Sequence, residues 1–224
     1  MTTPRFDLRL LAVRSDLADA ALRDLFIAPR YAEPRAATCC ELHVPVRVSP
    51  RGERSSELLE GEQFMVLDVD GSWAWGWCAH DHYVGYIEAG ALGDVPLAHE
   101  QPAGDPVEAA LRFLDMPYLL GGRGGAGIDC SALVQRAFAA VGTALPRDSD
   151  MQKELGVTVG PEALTRGDLV GFAGHIGIML DPGTLLHATA YWGRVVVEPL
   201  ASVAERSPIE TRRRIPSAEQ GLQR

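Results

Sequence analysis

The feature that most restricts this chain is the stretch Gly121-Gly122-Arg123-Gly124-Gly125-Ala126-Gly127-Ile128-Asp129-Cys130-Ser131. So many glycines are costly inside a helix or a strand, so this piece is a loop whose backbone approaches other groups closely. Directly after it, Cys130, Leu133, Val134, Ala137, Phe138 and Val141 recur at the offsets of one helix face, and Gly142 supplies a stop. Cys130 therefore falls in the first turn of a helix, where free backbone N–H groups and the positive end of the dipole favour an anion. Such a setting lowers a thiol's pKa and yields the thiolate, which is the nucleophilic form. The competing reading is a structural cysteine buried at the start of a core helix, since free Cys is among the most buried residue types. The loop by itself does not choose between the two.

At 224 residues the chain has room for one large domain or two small ones. Its net charge of −9 argues against a nucleic-acid or anionic-membrane partner. The one basic run, Arg212-Arg213-Arg214, reads as a solvated strand or tail. No apolar run is long enough to cross a bilayer, and Met1 to Asp7 lacks a signal-peptide core. Cys39, Cys40, Cys78 and Cys130 form no C-x-x-C pair and suit neither a disulfide framework nor a zinc site. The expectation is free thiols in a reducing cytoplasm.

Residues 1–30 read as an N-terminal lead-in, with a short amphipathic helix over Asp16 to Leu25. Residues 31–97 carry short strands. Val44 to Val48 is an edge because of Pro45, Phe64 to Leu67 ends in the turn Asp68-Val69-Asp70-Gly71, and Tyr83 to Ile87 follows. Trp73, Trp75 and Trp77 alternate with small residues, which puts the three indoles on one strand face. This spacing predicts a small β-barrel whose core or rim holds the tryptophans, with a recognition surface as the alternative. Ala98 to Pro106 is a linker, and Asp105 caps a helix with Pro106 at its first position, running to about Leu114. Over residues 105–215 the Cys130 helix is followed by a turn or short helix from Pro146. Strands come next at Asp168 to Phe172, His175 to Leu180, Leu185 to Thr189 and Arg194 to Glu198. Helices first and an antiparallel meander after them make this half α+β. The last ten or so residues are expected to fray.

A nucleophilic cysteine needs a base and a group to orient that base. Of the histidines at 43, 80, 82, 99, 175 and 187, only His175 and His187 share the half that holds Cys130. A hairpin centred on Pro182-Gly183 sets His175 opposite roughly Thr189 and His187 opposite roughly Gly177. Both imidazoles then lie on one face as diagonal neighbours, and a one-residue slip would separate them. On this register His175 is the base for Cys130 and His187 orients it. The alternatives are two isolated histidines, or a zinc site that would lack a fourth ligand.

Gly121-Gly122 through Asp129-Cys130-Ser131, Leu145-Pro146-Arg147-Asp148-Ser149, Gly174-His175-Ile176-Gly177-Ile178 and His187 together resemble the NlpC family of bacterial cell-wall cysteine peptidases. The resemblance covers roughly Asp105 to Leu200, and it implies a papain-like α+β core and cleavage of peptidoglycan stem peptides next to γ-D-glutamate, with no cofactor and no metal. In the first half, Ser56 to Glu62 and Asp81 to Tyr86 resemble the bacterial SH3-like domain of a recycling subgroup. That likeness implies hydrolysis of the γ-D-glutamyl-L-diamino acid bond in murein stem peptides with a free N-terminal L-Ala, releasing L-Ala-γ-D-Glu. Carried over by position, Glu57, Tyr83 and Asp129 hold the substrate's α-amine, Ser131, Asp148 and Ser149 contact the peptide, and Tyr118 assists the oxyanion. A buried ammonium needs negative partners, and a carboxylate beside the nucleophile would otherwise oppose thiolate formation, so Asp129 suits that role. The plain alternatives are a helix cap for Asp129, a solvated charge for Glu57 and a packed barrel residue for Tyr83. Two departures stand out: Ala132 replaces the family's usual glycine, and relatives differ across Ala188 to Trp192, where the diamino acid would sit. For the whole protein, an acyltransferase or amidase on the same core and a catalytically silent wall-binding protein are the rivals.

Overall fold

The computed structural model describes residues 6–216. The expected fraying of the last ten or so residues falls mainly outside them. The chain divides into two compact units, Met1–His99 and Glu100–Arg224.

In the first unit a small parallel pair, β1 (Ala18–Asp19) with β2 (Tyr31–Ala32), precedes a seven-stranded antiparallel sheet. The sheet's strands are β3 (Arg35–Cys39), β4 (His43–Arg47), β5 (Arg54–Leu59), β6 (Gln63–Asp70), β7 (Trp73–Cys78), β8 (Val84–Glu88) and β9 (Leu92–Gly93), in the order β5-β4-β8-β7-β6-β3-β9. Val44, Val46, Leu58, Phe64, Ala74, Cys78 and Ile87 fill its core. The small residues of β7 thus point inward, and by strand alternation the tryptophans face the other way. Of the two places expected for the indoles, core or rim, this excludes the core. The lead-in covers Trp75 and Trp77 from outside. Trp75 packs with Ala12, Leu17 and Leu67, the Arg14 guanidinium lies 4.5 Å over its ring, and Trp77 Nε1–H donates to Asp19 at 3.0 Å. The lead-in does this in extended form. Asp16 to Leu25 holds β1 and a single 3-10 turn capped by the Asp19 carboxylate, so the amphipathic helix expected there is absent. Nor is β4 an edge: it lies between β5 and β8. Pro45 is tolerated because β8 pairs with β4 only at Arg47, away from the missing N–H. β6 also runs through Asp70, past the turn expected at Asp68.

The second unit holds α1 (Pro106–Leu111), α2 (Cys130–Ala139), α3 (Ser149–Gln152) and α4 (Leu200–Arg206). Its six-stranded antiparallel sheet is built from β10 (Val157–Thr158), β11 (Leu169–Phe172), β12 (His175–Asp181), β13 (Thr184–Thr189), β14 (Arg194–Pro199) and β15 (Ile209–Arg214), in the order β10-β15-β11-β12-β13-β14. Asp105 caps α1 as expected, accepting from the Glu108 N–H at 2.8 Å, but the helix stops at Leu111, and turn residues lead to Asp115 at φ 64°. One sheet face carries Leu169, Ile176, Ile178 and Leu186, packed against Leu133, Val134, Ala137 and Phe138 of α2. The alternate residues Val170, Phe172, Met179 and Leu185 pack with Val203 of α4 on the other face. The run Arg212-Arg213-Arg214 is a sheet strand, not a tail: Arg214 forks onto the buried Asp168 at 2.7 Å.

Candidate active site

The glycine loop reaches Cys130 through close backbone contacts that a side chain would prevent. A Cβ at Gly122 would stand 2.5 Å from the Gly127 carbonyl oxygen, and one at Gly127 2.7 Å from the Pro117 carbonyl oxygen. Asp129 ends the loop and caps α2, its Oδ1 accepting the Ala132 N–H at 2.9 Å. Its Oδ2 accepts the Gly121 N–H at 2.9 Å, so one carboxylate ties both ends of the loop. Arg147 then closes on it end-on, with bonds of 2.9 and 2.6 Å from Nη1 and Nη2 to the two oxygens and a third of 2.9 Å to Ser131 Oγ. Both partners are buried, and such a fork is the strongest form of ion pair. Gln152 of α3 completes the layer, donating to the Ser131 and Pro146 carbonyls.

Cys130 is the first residue of α2, and its sulfur lies against the backbone N–H of Ile176, the residue after His175. The helix N-terminus does not make it a resting thiolate. Burial, and after it the neighbouring Asp129 charge, push the thiol up to about 11, against smaller opposing contributions from the Ile176 N–H and Arg147. Tyr118 is half-buried and is pushed up to about 12, first by burial and then by its closeness to Cys130 and Asp129. Its phenol therefore stays a donor near the sulfur.

The hairpin between β12 and β13 adopts the predicted register, with Ile178 opposite Leu186 and Met179 opposite Leu185. Continued toward the open end, this sets Gly177 beside His187, and a Cβ at Gly177 would lie 3.0 Å from His187 Cβ. The two imidazoles meet as expected: His175 Nε2 is 2.7 Å from His187 Nδ1. Desolvation holds His175 down at about 4, and His187 adds to that depression. His187 is lowered too, by burial in the first place, with Glu198 opposing. At neutral pH the resting site is a thiol beside neutral imidazoles.

The remaining predicted residues fall as follows. Ser131 is buried and joined to Asp129 and Arg147. Asp148 and Ser149 are half-buried at the start of α3, and the Asp148 side chain does not cap that helix. In the first unit, Glu57 is fully buried on β5, with its Oε1 3.1 Å from His43 Nδ1 and 3.5 Å from Arg54 Nη1, so it is no solvated charge. Tyr83 is buried against the barrel core and leads into β8. Among the described residues no group of His, Cys, Asp or Glu side chains is placed to hold a metal ion.

Residues 115–210 match the NlpC/P60 family model, and residues 46–92 match that of the bacterial dipeptidyl-peptidase Sh3 domain. The second unit therefore carries an NlpC/P60 domain. That domain is the papain-like α+β domain of the family, and the first unit carries the SH3 domain. A "Gamma-D-glutamyl-L-lysine dipeptidyl-peptidase" of Bacillus cereus is 32% identical over 106 residues, 44% of this chain and 32% of that one. A "Probable endopeptidase" of Mycobacterium tuberculosis is 35% identical over 120 residues, 50% of this chain and 31% of its own length. A solved NlpC/P60 family protein from Bacillus cereus is 22% identical, covering 83% of this chain and 64% of that one with a TM-score of 0.49. The match thus spans about a third of these curated relatives.

Sequence reasoning missed four side chains of this site: Arg147, Trp192, Glu198 and Arg206. Glu198 could have been found. β14 pairs Val196 with His187, so Glu198, two residues on, is its diagonal neighbour on the same face. Arg147 gave no pattern signal, because a buried arginine is visible only through its carboxylate.

Proposed function

We propose that the protein is a cysteine peptidase that hydrolyses the γ-D-glutamyl-L-diamino acid bond of peptidoglycan stem peptides bearing a free N-terminal L-Ala, and releases L-Ala-γ-D-Glu. The observation that carries this reading is that the sulfur of Cys130, at the first turn of α2, lies against the Ile176 N–H, next in the chain to His175 of β12, whose ring is 2.7 Å from that of His187 on β13. In this reading Cys130 attacks the γ-D-glutamyl carbonyl as His175 takes its proton. The same proton then leaves with the departing amine, and water attacks the thioester with His175 again as base. Tyr118, kept protonated, donates to the developing oxyanion. The narrower substrate rests on the match to the dipeptidyl-peptidase Sh3 model and on relatives named for γ-D-glutamyl-L-lysine cleavage.

For the substrate's α-amine the proposed ligands are Glu57, Tyr83 and Asp129, with Ser131, Asp148 and Ser149 contacting the peptide. Free thiols at Cys39, Cys40, Cys78 and Cys130 favour a cytoplasmic recycling role. The test is to compare L-Ala-γ-D-Glu-diaminopimelate with its N-acetylated copy. Cleavage of the first alone, with the preference weakened in Glu57→Gln, is expected; equal cleavage of both by the parent protein would sink the amine requirement, and failure of Cys130→Ala to abolish hydrolysis would sink the peptidase reading.

A further inference from the structure

Behind the histidine pair three donors converge on one carboxylate. Glu198 Oε1 accepts from His187 Nε2 at 2.8 Å and from Arg206 Nη2 at 2.6 Å, and Oε2 accepts from Trp192 Nε1 at 3.2 Å. β14 supplies Glu198, α4 supplies Arg206, and the turn between β13 and β14 supplies Trp192. Burial opposes ionisation of this carboxyl, but its bonds from Arg206, Trp192 and His187 win and hold it below the usual range. An ionised carboxylate only accepts, so the proton of the neutral His187 sits on Nε2. His187 Nδ1 is then an acceptor, and the nitrogen 2.7 Å away, His175 Nε2, must be the N–H of its ring. That leaves the lone pair of His175 on Nδ1. The opposite arrangement would point a lone pair of His187 at a negative carboxylate.

We propose that Glu198 is a positioning residue that sets the tautomers of both imidazoles, so that His175 holds a basic Nδ1 ready for the Cys130 proton. The inference rests on the cysteine-peptidase reading of this site. In the reacting step the S–H bond breaks, its proton goes to His175 Nδ1, and the sulfur keeps the electron pair. No proton moves on to His187 or Glu198. The imidazolium keeps its Nε2–H bonded to His187, and its charge is met by the carboxylate on the far side of that ring. The charged groups around the pair are Glu198 from β14, which favours the imidazolium, and Arg206 from α4, which opposes it and whose charge Glu198 offsets.

The test needs a readout that a merely structural glutamate would not move. In the ¹⁵N-labelled full chain at neutral pH, long-range imidazole correlations are expected to show Nε2-protonated rings for both His175 and His187. Glu198→Ala should give mixed tautomers at both rings. It should also lower kcat about 100-fold with KM nearly unchanged, in the lower range for general-base catalysis, and slow iodoacetamide alkylation of Cys130, which needs no peptide. Glu198→Gln is the conservative control. With its amide oxygen at the Oε1 position it still accepts from His187 and Arg206, and only its contact with Trp192 suffers. It should keep the Nε2 tautomers and lose only about 10-fold in kcat, through the missing charge. An Nδ1-protonated His187 in the parent, or unchanged tautomers and kcat in Glu198→Ala, overturns the proposal, as does an equal loss in both variants with tautomers intact. A parent protein with the expected tautomers and normal alkylation that cleaves no γ-D-glutamyl peptide supports the role of Glu198 and overturns the substrate reading instead.

Discussion

Replacing Arg147 by Met removes one half of an ion pair whose side chains are 1% and 6% exposed. Deleting one partner of such a pair costs about 3–5 kcal/mol, because the other charge stays behind in a low dielectric. Here Asp129 would retain the N–H groups of Gly121 and Ala132 and the Ser131 hydroxyl, so the low end, about 3 kcal/mol, is expected. For a unit of this size that lowers the melting midpoint by about 10 °C. The pair Asp129→Asn with Arg147→Met leaves no stranded charge and keeps an oxygen for the Ala132 cap, so it should recover about 2 kcal/mol of the loss. Chemical unfolding of the parent, the two single variants and the double variant gives the coupling directly. Cys130 supplies a second readout. Asp129 raises its thiol and Arg147 lowers it, so iodoacetamide alkylation of Arg147→Met should need a higher pH, and the double variant should return toward the parent. A single variant that loses under about 1 kcal/mol, or a double variant no more stable than Arg147→Met, would refute the reasoning.

Three further outcomes follow from the site. His175 is depressed in the fold from 6.5 to about 4, so its stabilisation is complete above pH 6.5 and is lost as pH falls toward 4, where the unfolded chain binds the proton first. Urea stability should decline by about 3 kcal/mol across that window, and His175→Gln should flatten the decline; an unchanged slope argues against a buried neutral imidazole. With the resting thiol at about 11, the alkylation rate of Cys130 should climb steadily with pH, whereas a plateau starting near pH 5 would reveal a preformed thiolate–imidazolium pair. Gly177→Ala puts a Cβ 2.8 Å from Leu185 Cγ and 3.0 Å from His187 Cβ, which should cost about 1–3 kcal/mol and lower kcat more than it raises KM; a neutral effect on both would mean that the hairpin yields freely.

Much of the second unit was legible because its signals are local. The helix face from Cys130, the stop at Gly142 and the turn at Pro182-Gly183 each depend on a few adjacent residues, and the hairpin register followed from the last of these. What stayed hidden depends on partners far along the chain. The thiolate expected at the helix N-terminus yields to burial and to the Asp129 charge, neither of which periodicity reports. Arg147 looked like one more charged residue in a turn, although it is among the largest fully buried side chains. The tryptophan row shows the same limit. Alternation set the indoles on one face, and nothing in β7 itself says which face is the inner one.

The indole–carboxylate bond between Trp77 and Asp19 spans 58 residues of chain. Residues 12 to 19 therefore cannot settle until β6 and β7 have been made, and on a ribosome they wait without a surface to rest on. This segment, made before the strands it covers, is a late-closing seal. A recombinant fragment that began after residue 20 would keep every strand of the barrel's sheet and still bare Trp75 and Trp77. Such a fragment should be sticky rather than unfolded, and its solubility would report on the lead-in more directly than its melting temperature.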